Sequence, residues 1–196
     1  MTSGAASEPT TVEKLRGLPW SVATNAANTV FSHFTVFGSV FVLFLNTLGM
    51  SKTAIGFVLA LIPFSAVIAP LVAPFTARVG YKRVFVWFYA LRKGLIALLL
   101  LTPWVQAAWG QRTTLVFVAG VVAIFSVVRS VEETAYFPWV QEFVPNSVRG
   151  KYSAMSNIFT ALTGFVAVWV AGAVLQWYTG QTGFLLLFAA GVVAPP

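Results

Sequence analysis

Arg129, Glu132, Glu133 and Tyr136 stand within eight residues of one another in the stretch "VVRSVEETAY". At about 100° per residue, Glu133 lies about 40°, Tyr136 about −20° and Glu132 about −60° from Arg129 on a helix. All four then share one wedge, and Arg129 reaches both glutamates at the i+3 and i+4 positions. Two carboxylates beside a guanidinium and a phenol could bind a charged solute or hand on a proton. They could equally be a permanent ion-pair network that locks helices together. Arg92 and Lys93, in "FYALRKGLIALL", add two cations at a comparable distance into their own apolar run, so pairing with Glu132 and Glu133 is expected. Three positive and two negative charges would leave this cluster at +1, which suits an anionic solute.

A second set is polar without charge. Ser21, Asn25, Asn28, Ser32, Thr35 and Ser39 recur at intervals of four and three, one narrow stripe along a helix and a candidate wall for a water-filled path. Ser153, Ser156, Asn157, Thr160, Thr163 and Gly164 share another face, which reads as a path wall or as the small-residue packing common between membrane helices. His33, the only histidine, lies off the main stripe and reads as a hydrogen-bonded packing residue. With one histidine and no cysteine, and no recognisable catalytic or metal-ligand spacing, the expectation is no enzyme, no cofactor and no metal.

These groups need a scaffold, and composition names its class. The 196 residues are 58% hydrophobic and 9% charged, whereas soluble domains carry roughly 25% charged residues. Several apolar runs approach the ~20 residues that cross a bilayer as a helix, and they lack the strict alternation of barrel strands. The expected class is all-α, a polytopic membrane helix bundle. Six segments can be drawn, from about Pro19 to Asn46, Thr53 to Phe75, Val84 to Trp104, Thr113 to Phe143, Tyr152 to Trp177, and from Phe184 onward. The last reaches only about 21 Å to the end of the chain and is read as incomplete. Residues 1–17 form a polar tail and 18–196 the bundle.

Lysines and arginines set the orientation. Lys14, Arg16, Arg78, Lys82, Arg83, Arg149 and Lys151 fall on one side and Lys52 and Arg112 on the other. Seven against two puts the amino terminus in the cytoplasm of a plasma-membrane protein. The net charge of +7 is then topology, and no nucleic-acid partner is expected.

Two basic turns carry a family resemblance. The stretch "APLVAPFTARVGYKRVFVWF" resembles the loop between spans two and three of the major facilitator superfamily, roughly G-x-x-x-D-R-x-G-R-R. Arg78, Gly80, Lys82 and Arg83 match its basic part, with Ala73 and Ala77 in place of its glycine and aspartate. "FVPNSVRGKYSA", with Arg149 and Gly150, resembles the matching turn between spans four and five. The likeness covers essentially all of the chain after Leu15. It implies the amino-terminal half of a twelve-helix transporter, in which the spans equivalent to one, two, four and five line a central cavity. It also implies that Arg129 corresponds to an arginine of span four linked to proton coupling, although Glu133 falls where that pattern carries glycine. The glycine–proline signature of drug antiporters has no counterpart in "TALTGFVAVWVAGAV". The expected function is proton-coupled secondary transport of a small anionic solute, with the carboxyl-terminal half or a second copy as partner. The alternative is a non-transporting membrane module, a sensor or a degenerate half-transporter.

Overall fold

The computed structural model describes residues 11–194, with side chains from Gly17 onward. Lys14 and Arg16, counted in the charge asymmetry, lie outside the described side chains. Eight α-helices follow one another: α1 Thr11–Phe34, α2 Ser39–Thr47, α3 Lys52–Phe64, α4 Ala69–Val79, α5 Tyr81–Leu98, α6 Thr102–Phe143, α7 Arg149–Trp177 and α8 Thr182–Val193. There is no strand among the described residues. Short 3₁₀ turns join α3 to α4 and α5 to α6 and lead into α7.

Four helical runs are long and apolar enough to cross a membrane: Gly17–Thr47, Lys52–Val79, Tyr81–Phe143 and Asn146–Trp177. The protein is therefore a helical membrane protein, because in lipid a helix alone satisfies its own backbone within one segment. The third run, of 63 residues, is not straight. Gly110 within α6 takes φ 76° and ψ 176°, a region open essentially only to glycine. The chain reverses there and α6 returns antiparallel along α5. Thus Phe85 near the start of α5 meets Trp139 near the end of α6, with ring centroids 5.0 Å apart.

The reversals sort to two ends. At one, Gln111 Nε2 donates to the Leu48 carbonyl over 2.9 Å and Gln181 Nε2 to Gln106 Oε1 over 2.6 Å. These bonds draw three reversals together. At the other end lie the turn at Gly80 (φ 100°) and the 3₁₀ turn Asn146–Val148. Arg78, Lys82 and Arg83 are exposed around the Gly80 turn. Arg149 bonds back to the carbonyls of Gln141 (3.3 Å) and Val144 (3.4 Å), and Gly150 is exposed.

The first run differs from the expected continuous helix. It breaks at residues 35–38, where Phe37 N–H reaches back to the Ser32 carbonyl over 3.1 Å. Gly38 causes the turn to fit, since a side chain there would collide with the His33 carbonyl. In the second run the break between α3 and α4 follows from Pro63, Pro70 and Pro74, which remove amide donors and crowd the preceding turn.

Packing centres on phenylalanines. Phe44 of α2 stands edge-on to Phe188 of α8 at 5.0 Å and 82°, the geometry that aromatic quadrupoles favour, and also meets Phe184 at 5.7 Å. Those contacts dock the short α8 against α2. Outward, α7 presents Ile158, Leu162, Phe165 and Trp169, spaced three and four apart as a lipid-facing stripe requires.

Candidate functional site

The charges predicted to cluster divide into two pairs with different surroundings. Arg92 Nη1 lies 2.9 Å from Glu132 Oε2, and both side chains are 5% exposed. Arg92 also donates from Nη2 to Asn28 Oδ1 over 2.6 Å. Its guanidinium sits over the rings of Tyr89 (4.7 Å) and Phe31 (5.0 Å), where the negative ring faces add cation–π attraction. Satisfaction is incomplete: Arg92 Nε, Glu132 Oε2 and Tyr89 Oη have no aligned hydrogen-bond partner. The link to Glu132 is therefore a close ion pair rather than a good hydrogen bond.

The second pair is wetter. Arg129 bonds Glu133 one turn along α6, and their side chains are 22% and 44% exposed. The Arg129 guanidinium also covers Phe37 at 4.5 Å, in the break between α1 and α2. So Glu132 faces inward to α5, and Glu133 with Arg129 faces an open side. The single wedge in which Arg129 serves both glutamates is not what the structure shows; of the two, the i+4 contact forms. Lys93 pairs with neither glutamate. Its ammonium reaches the Ala194 carbonyl at the end of α8 and lies 5.3 Å from the Tyr89 ring.

Asn25 is the centre of an uncharged network across α1, α6 and α7. Its Nδ2 donates to Ser156 Oγ (3.1 Å) and Tyr152 Oη (3.3 Å), and its Oδ1 accepts from Tyr136 Oη (3.1 Å). Tyr152 Oη is also 2.7 Å from Ser21 Oγ. Ser21, Asn25, Tyr136, Tyr152 and Ser156 thus form one connected wall. The expected unbroken stripe on the first segment does not continue along it. Asn28 turns to Arg92, and Ser32 bonds the Asn28 carbonyl over 2.8 Å. Thr35 is fully buried on the Phe31 carbonyl, and Ser39 begins a separate helix.

On α7, Asn157 is exposed and outside the network. Gly164 packs against α1, where a side chain would meet His33 Nε2 and Thr29. His33 packs there without a side-chain hydrogen bond among the described residues. Tyr152, Phe37 and Tyr89 were not singled out in the sequence. Tyr152 could have been, because it sits one turn before Ser156 on the same face. Phe37 could not, because its role depends on the helix break. No group of three or more metal-ligating side chains occurs among the described residues.

Chemically, the arrangement offers one buried, neutralised ion pair and one half-exposed pair near a hydrogen-bonded wall. The first can hold helices in register, and the second can exchange a proton or meet a solute. No family model matches the chain, and neither a curated protein nor a solved structure matches it.

Proposed function

We propose that the chain is the six-crossing, amino-terminal half of a secondary transporter of major-facilitator type, working by alternating access on a small anionic solute with proton coupling. The reading takes the Gly110 reversal and the apolar α8 as making six crossings from the four long runs, with the amino terminus in the cytoplasm of the plasma membrane. A carboxyl-terminal half, or a second copy, closes the open side.

One observation carries it: the half-exposed Arg129–Glu133 pair stands deep in a long apolar run. Ionisable groups at such a depth are costly unless paired or hydrated, and they mark pathways more often than lipid-facing surface. Glu133 is the proton carrier, since its carboxylate can open to water without abandoning a buried cation. Arg129 holds the solute when Glu133 is protonated and releases it. Arg92 and Glu132 keep α5 and α6 in register throughout. The solute is anionic because protonation of Glu133 leaves the Arg129 guanidinium without its carboxylate partner at the site. The test is proton movement in proteoliposomes upon addition of a panel of small carboxylates and phosphates. Solute-driven proton movement that E133Q abolishes supports the reading. Identical traces with and without protein for the whole panel, in vesicles where cross-linking shows the chain paired with its closing half or second copy, refute it.

The second reading, a non-transporting module, is favoured by the near-complete burial of Arg92 and Glu132, which suits a fixed lock. It predicts no flux in the same assay and intact folding.

A further inference from the structure

A cavity of about 640 Å³ opens between the amino-terminal parts of α1 and α7, apart from both charge pairs. The two helices run parallel here, as the contacts Ser21–Tyr152 and Asn25–Ser156 show. Ala23 and Ala26 of α1 leave the space, and Val22, Met155 and Phe159 supply apolar walls. Met155 and Phe159 are 43% and 45% exposed, so the groove is open along its length. From Lys151 in the first turn of α7 to Phe159 it extends about 12 Å along the helix axis.

Its polar equipment is narrow. Lys151 lines the groove, is exposed and has no acidic partner among the described residues. Tyr152 also lines it, but its hydroxyl is engaged by Ser21 and Asn25. Arg149 is committed to the carbonyls of Gln141 and Val144. Among the described residues the groove therefore pairs one cation without an acidic partner, at the end where the basic residues collect, with an apolar channel leading away from it.

We infer that this groove is a binding site for an anionic glycerophospholipid, its phosphodiester on Lys151 and an acyl chain between α1 and α7. The charge complementarity is one-sided: no carboxylate among the described residues lines the groove, and a bilayer phosphate supplies the missing partner. Basic residues at a membrane surface attract anionic lipids with about a fivefold gain per side chain.

The experiment is native mass spectrometry of the full chain, delipidated in mild detergent and titrated with phosphatidylglycerol or phosphatidylcholine. One phosphatidylglycerol should bind in preference to phosphatidylcholine. K151Q should weaken that binding about fivefold, K151R should retain it, and A23W should remove it by filling the groove. Lys151 is exposed, so K151Q remains informative even if the tryptophan variant fails to fold. Equal binding of the two lipids, or unchanged binding by K151Q, would overturn the site. A lipid-free dimer that A23W dissociates would instead make the occupant a second copy and would overturn it too.

Discussion

Removing Arg92 should cost far more stability than removing both members of its pair. In R92M the Glu132 carboxylate keeps its 5% exposure and loses its salt-bridge partner, and Asn28 Oδ1 loses its donor. Breaking a buried pair from one side costs about 3–5 kcal/mol. E132Q is milder, about 2 kcal/mol, because the Arg92 cation keeps Asn28 and two ring faces, each ring being worth about 0.5–2 kcal/mol. In R92M/E132L no buried charge remains, and replacing such a pair with packed apolar groups is often neutral to stabilising. The expected order of destabilisation is therefore R92M, then E132Q, then the double variant within about 1 kcal/mol of wild type. Reversible unfolding in mixed micelles, followed by the fluorescence of the seven tryptophans, reads all three. A double variant as unstable as R92M would refute the reasoning, because it would show that the uncompensated Glu132 charge is not what destabilises that single variant.

R129M and E133Q, by contrast, should each shift stability by less than about 1 kcal/mol, because a half-exposed pair is worth little; the same unfolding assay checks this. G110A should cost about 1–3 kcal/mol, since its φ 76° and ψ 176° admit glycine almost alone. G120A, in the helical part of α6 with nothing within 4 Å of the added methyl, should be neutral or stabilising by up to about 1 kcal/mol. N25A should cost about 1–2 kcal/mol, as hydrogen bonds between membrane helices average about 0.6 kcal/mol each and Asn25 makes three across helices. In a double cycle with Y152F the losses should fall short of additive.

Much of the helical architecture was legible because composition and run length admit few other solutions. The reversals at Gly49, Gly80, Gly110 and Gly180, all with positive φ, fall in the turn-rich stretches between the apolar segments. The Arg129–Glu133 contact was legible because it is local, one helical turn. What escaped depended on tertiary placement. Gly38 breaks the first run because the chain must pass close to the His33 carbonyl, and no proline announces it. That break redirects Thr35 and Ser39 and brings Phe37 under Arg129. Likewise, the choice of Glu132 rather than Glu133 by Arg92, and of Ala194 by Lys93, follows from how α5 rotates against α6 and α8. Periodicity within one helix carries no information about that rotation.

The central claim is that the side bearing Glu133 and the Asn25 wall is wet in the membrane while the rest of α7 faces lipid. A chain without cysteine allows a direct measurement: single cysteines at Glu133, Ser156 and Phe165, exposed in intact membranes to a small, membrane-impermeant thiol reagent. The account predicts modification at position 133 and at position 156 on the Asn25 wall, and protection at 165, which lies outward on α7 with 76% exposure. Protection at all three positions, in a chain shown by unfolding to be folded, would contradict it and leave the Arg129–Glu133 pair as a structural contact in a dry bundle.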